Sequence, residues 1–174
     1  MLDATGLIEK HKGKGVLVDT SLLVLYLVGT VNRRRILDFK RTGDFALEDF
    51  DLLVDLIAWF GPLFATPHVL AQVSDLTDLS GAELVAVREA LRLLVEKLDE
   101  RYDAGRVIVQ HAAFQRLGLT DAAIAVASAR GMLVLTADLG LALTLDQHNV
   151  DALNFNHVRA MGWRGVFEPA TRRR

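Results

Sequence analysis

The chain predicts an α/β fold, a single domain over residues 1–174 with a parallel sheet of about five short strands and helices on both faces. Three observations carry that expectation. Short apolar, β-branched runs alternate with stretches of helical periodicity. Gly13, Gly15, the Gly61-Pro62 pair and Gly131 punctuate them. Hydrophobic residues make up 51% of the chain, enough to build a sizeable core.

The first strand is read at 15–18, where Val16, Leu17 and Val18 follow the two glycines. A helix over 20–28 comes next, with Asp19 or Thr20 placed to cap it. Residues 29–44 are basic and polar and read as a loop or short helix. From 47 to 60, Phe50, Leu53, Leu56, Ile57 and Phe60 recur at helical spacing, and Gly61-Pro62 stops that helix. A second short strand is read at 63–66. Pro67 then opens a helix at its favoured first position. Val69, Val73 and Leu76 form its apolar stripe, with Gln72 at the border.

Ser80 and Glu83 make a capping-box pattern. They start a long amphipathic helix to about 101 with Leu84, Val87, Leu91, Leu94, Val95 and Leu98 inward. The stretch of about 44–101 reads as a helical insertion within the domain, and its helix-rich part from Leu47 to Arg101 as a surface for a dimer or another partner. A third strand is expected at 106–109 and a short helix at 112–117. Thr120 is placed to cap a helix over 121–130, whose interior holds only Ala, Ile and Val and is expected to be buried nearly all round. Gly131 ends it. Residues 132–136 read as the fourth strand, followed by a helix from Asp138 to about 148. A fifth strand at 150–155 and a short helix around 157–161 complete the pattern.

Mean hydropathy is positive at +0.26. Yet the longest apolar run near the N-terminus, 22–28, is far short of the about 20 residues a membrane span needs. Asp19 just before that run, with no small-residue cleavage site, argues against a signal peptide. The absence of cysteine excludes disulfides and thiolate metal sites and fits a cytoplasmic protein. No phosphate-binding G-x-x-x-x-G-K-[ST] loop and no G-x-S-x-G elbow occurs. The five histidines lack metal-ligand spacing; His111, His148 and His157 read as isolated. Trp59, Phe60 and Phe64 read as core, and Trp163 as a cover for it.

The net charge of −2 is uninformative, but its distribution is not. Arg33, Arg34, Arg35, Lys40 and Arg41 form one basic group, Lys10, Lys12 and Lys14 another, and Arg172, Arg173 and Arg174 a basic tail. They read either as solvated surface or as phosphate contacts around an acidic centre.

That centre is Asp19, Asp121 and Asp138. Asp19 closes the first strand, Asp138 follows the fourth, and Asp121 opens the apolar helix. Each is a good helix N-cap, where a carboxylate complements the helix dipole. In an open α/β sheet, ligands bind beyond the carboxyl ends of the strands. Carboxylates delivered there from separate segments converge and repel unless a cation holds them, and oxygen ligands of this hardness suit Mg²⁺ or Mn²⁺.

The segments VLVDTS at 16–21, TPHVLAQVSDL at 66–76, LGLTDAAIAVAS at 117–128, LVLTADLGLA at 133–142 and ALNFNHVR at 152–159 appear in the order used by the PIN-domain nucleases. The chain resembles that family over most of its length. The resemblance implies a PIN-like three-layer α/β/α fold and a metal-dependent endoribonuclease of single-stranded RNA. Asp19, Asp121 and Asp138 would serve as catalytic acids and metal ligands, supported by Thr20, Ser21 and Thr136. The basic group at 33–41 would contact RNA. Many relatives are toxins held by an antitoxin, so such a partner and a homodimer are expected. The chain departs from the family at Gln72, where a glutamate is usual. A neutral amide leaves the acids at a formal −3, with Asp75 a candidate substitute one turn away. Gln72 therefore motivates a second expectation, a weak or inactive PIN-like module that binds RNA or protein.

Overall fold

The computed structural model describes residues 4–161, and its sheet is centred on a short apolar strand near the N-terminus. Strand β1 (Val16–Val18) is buried at all three positions. It pairs in parallel with β2 (Leu63–Ala65) on one side and β4 (Leu133–Thr136) on the other. Strand β3 (Asp99–Glu100) flanks β2, and β5 (Ala152–Asn154) flanks β4, giving one five-stranded parallel sheet in the order β3-β2-β1-β4-β5. The central strands are apolar at every position because a parallel sheet is covered on both faces.

The covering helices follow the chain: α1 (Ala4–His11), α2 (Thr20–Val31), α3 (Arg35–Asp38), α4 (Leu47–Phe60), α5 (Pro67–Leu76), α6 (Gly81–Val95), α7 (Gly105–Ile108), α8 (Phe114–Leu117), α9 (Leu119–Ser128), α10 (Leu139–Gln147) and α11 (Phe155–Ala160). Helix α2 is the hub. It buries Leu22, Leu23, Val24, Leu25, Leu27 and Val28 and packs against α4, α5 and α6. Gly29 admits the Phe50 ring of α4, which would lie 2.3 Å from a Cβ at that position.

Strand order places the site. The chain runs from β1 to β2 to β3 in one direction and then returns to set β4 on the far side of β1. At that reversal the connections after β1 and β4 diverge and open a crevice at the carboxyl ends of the strands.

Several local expectations need correction. Residues 106–109 are not a strand: the turn of α7 covers most of them, and Val107, Ile108 and Val109 bond back to Ala104 and Gly105. Only Ile108 there is buried. The third strand is instead the charged pair Asp99 and Glu100, which joins through its backbone and leaves both side chains exposed. Helix α6 stops at Val95, short of 101. Its Ser80 makes no side-chain cap, and the Glu83 carboxylate, which a capping box would turn back to Ser80 N, is engaged by Asn32 and Arg35. Thr120 lies inside α9, whose N-cap is Gly118. Helix α1 has no counterpart in the sequence reading. His111 and His148 are not isolated, their ring centroids standing 5.0 Å apart. Phe60 and Phe64 are buried as expected, with Trp59 packed against the core. Trp163 and the basic tail at 172–174 lie outside the described residues.

Candidate functional site

Asp19 is built first. Its backbone N–H donates to Leu135 of β4, locking the end of β1 to its neighbour. Its carboxylate caps α2 through Leu22 N, 3.1 Å from Oδ1. The Ser21 hydroxyl reaches the same oxygen at 2.9 Å. The other oxygen accepts from the Thr136 hydroxyl and from Ala137 N. Thr136 is oriented for this, since its own oxygen accepts from Asp138 N at 2.9 Å. The four acceptor positions of the Asp19 carboxylate are therefore filled. Burial pushes its proton affinity up, and the four hydrogen bonds oppose that shift without cancelling it.

Asp138 caps α10, with Oδ1 accepting from Leu141 N at 3.0 Å. The turn that carries it is held by Asn156, whose side-chain amide donates to the Ala137 carbonyl at 2.7 Å. Asp121 stands in the first turn of α9. Among the described residues no hydrogen bond reaches its carboxylate, which is pushed up to about 6, first by burial and then by the charges of Asp138 and Asp19. Helices α5 and α9 touch. On α5, Gln72 Oε1 accepts the Thr20 hydroxyl at 2.7 Å.

These segments enclose one cleft of about 330 Å³, lined by Asp19, Thr20, Ser21, Gln72, Asp121 and Asp138, with Val24, Leu76, Leu141 and Arg41 between them. The structure thus brings together the three acids and the Gln72 amide. Thr136 sits behind Asp19 as its support. Asp75 is exposed on α5 and does not line the cleft. The basic group divides. Arg33 pairs with Asp51, Arg35 with Glu83 and Lys40 with Asp78, while Arg34 is exposed. Arg41 alone of the five lines the cleft. Sequence reasoning marked Arg41 only as a member of a cluster; its separate placement depends on the turn that follows α3.

The donor chemistry fits a hard cation. Asp121 is open, Asp138 has one oxygen uncommitted by the described residues, and Asp19 would exchange a rotatable hydroxyl donor for an ion. As the side chains stand, no group of three or more His, Cys, Asp and Glu among the described residues is arranged to hold a metal ion. Among the described residues no helix is long and apolar enough to cross a membrane. Comparison with protein-family models, with curated proteins and with solved structures returns no match.

Proposed function

We propose that this chain is a PIN-like, Mg²⁺- or Mn²⁺-dependent endoribonuclease that hydrolyses phosphodiester bonds of single-stranded RNA. One observation carries the reading. Asp121, pushed up to about 6, shares a cleft at the sheet's point of reversal with two further acids from separate segments, and no donor among the described residues relieves it. A bound divalent cation there would polarise the phosphoryl oxygen and lower the pKa of its water. Asp19, Asp121 and Asp138 would hold it. The chain's own part is positional. Asp19 is held between β1 and β4 by its four donors, and Asp138 is fixed by its cap and by Asn156 through Ala137. The choice of RNA rests on the sequence resemblance.

The test is cleavage of a labelled single-stranded RNA with Mn²⁺, Mg²⁺ or EDTA. Wild type is expected to cut only with metal, and Asp121→Asn to lose about 10²-fold or more in rate. Metal-independent cutting, or an Asp121→Asn variant as fast as wild type, would sink the proposal. Gln72 favours a second reading, a binding module without turnover, since an amide supplies neither charge nor a base. RNA binding without metal-dependent cutting would support that reading.

A further inference from the structure

Among the described residues Arg41 is the one cation in the lining of the cleft, and no ion pair or hydrogen bond engages its guanidinium. Its placement is built in. The turn that carries it is pinned by Thr42, which is fully buried and donates to the Ile36 carbonyl at 2.9 Å. On its other side Lys40 bridges to Asp78 beyond the end of α5, at 2.8 Å.

Gln72 adds a second donor. Its Oε1 is taken by the Thr20 hydroxyl, so the amide nitrogen turns away from Thr20 with both N–H groups free of acceptors among the described residues. A glutamate at this position would present only acceptors. Gln72 thus brings a donor amide to the same cleft that the Arg41 guanidinium lines.

We propose that Arg41 and the Gln72 amide form a phosphate site, which takes one phosphodiester of a single-stranded nucleic acid beside the carboxylates. This rests on the reading of the cleft as one that handles nucleic acid, and it assigns Gln72 a role in substrate binding. A guanidinium and an amide together offer a planar set of donors suited to phosphate oxygens.

The test measures binding separately from cutting. Fluorescence anisotropy with labelled oligouridylate and oligothymidylate in EDTA would compare wild type, Arg41→Ala, Gln72→Glu and Arg88→Ala, each checked for a normal thermal transition. Arg88 lies on α6 outside the cleft and controls for the loss of one positive charge. Arg41→Ala is expected to weaken binding of both oligomers roughly tenfold. It should also lower the slope of log affinity against log salt by about one. Gln72→Glu should weaken binding comparably, and Arg88→Ala by less than about twofold. The proposal is overturned if Arg41→Ala behaves as Arg88→Ala, if Gln72→Glu binds as well as wild type or better, if the loss appears with only one oligomer, or if wild type binds neither. Cutting with Mn²⁺ separates the two readings. Arg41-dependent binding without cutting keeps this site and removes the nuclease. Cutting with Arg41 dispensable for binding removes this site and keeps the nuclease.

Discussion

Asp19 and Asp121 are the same residue type in the same cleft, and burial raises the proton affinity of both; they differ in that four donors engage the Asp19 carboxylate and, among the described residues, none engages that of Asp121. Asp121, pushed up to about 6 from an ordinary 3.8, binds its proton more tightly in the folded protein than in the unfolded chain. Below about 4 both states hold the proton and nothing is lost. As pH rises the unfolded chain releases it first, and the folded state must ionise at a cost that is complete above about 6. Asp121→Asn is therefore expected to stabilise the metal-free protein at neutral pH by about 1–2 kcal/mol, allowing for screening in an open cleft. The gain should vanish near pH 4. Urea denaturation in EDTA at the two pH values checks this, and an Asn variant less stable than wild type at neutral pH contradicts it. Asp19→Asn should go the other way. An Asn amide nitrogen would face either Leu22 N or Ala137 N, both of which are donors. Setting donor against donor in a buried site costs about 1–3 kcal/mol. The same denaturation series reads it, and no loss of stability would show that the four bonds do not hold the end of β1.

At the scale of elements, what was legible in the sequence depended on how each element is held. Strand β1, helix α4 and β4 read directly, because burial forces apolar residues into their spacing. Strand β3 did not, because it pairs through its backbone at an exposed edge and leaves no hydrophobic pattern. The β-branched run around Val107 was more strand-like in composition yet has no sheet partner. For the site, the three acids were legible as residues that close or open apolar runs. The role of Thr136 behind Asp19 was legible only through resemblance. The separation of Arg41 from its neighbours was not, since it depends on three ion pairs between distant segments. Gly29 gives an element-scale test. On helix propensity alone, Gly29→Ala in α2 would gain about 1 kcal/mol. Its Cβ, however, would stand 2.3–2.9 Å from three Phe50 ring atoms. The expected result is a net loss of about 1–3 kcal/mol from overpacking between α2 and α4. A rise in melting temperature would show that the α2–α4 contact is loose.

For the whole molecule, the reversal of strand order couples the site to the fold. The acids arrive from the end of β1, the start of α9 and the turn after β4, so the folded chain alone assembles them. A ligand that binds the assembled cleft and not the unfolded chain must raise global stability by mass action. If the cleft takes Mn²⁺, an ion concentration about a hundredfold above its dissociation constant adds about 2.7 kcal/mol. For a chain of this size that is a rise of roughly 5–10 °C in melting temperature. Asp121→Asn, more stable than wild type in EDTA, should gain little from Mn²⁺, so the order of the two proteins narrows or reverses when metal is added. The shift in wild type should also fade as pH falls through about 6, because Asp121 must lose its proton before it can ligate a cation. Thermal melts of both proteins with Mn²⁺ and with EDTA, at neutral pH and near pH 5, read all of these effects without a nucleic-acid substrate. A wild-type melting temperature indifferent to Mn²⁺ would leave Asp19 and Asp138 as helix caps and Asp121 as a first-turn acid of α9, sharing a cleft that holds no cation.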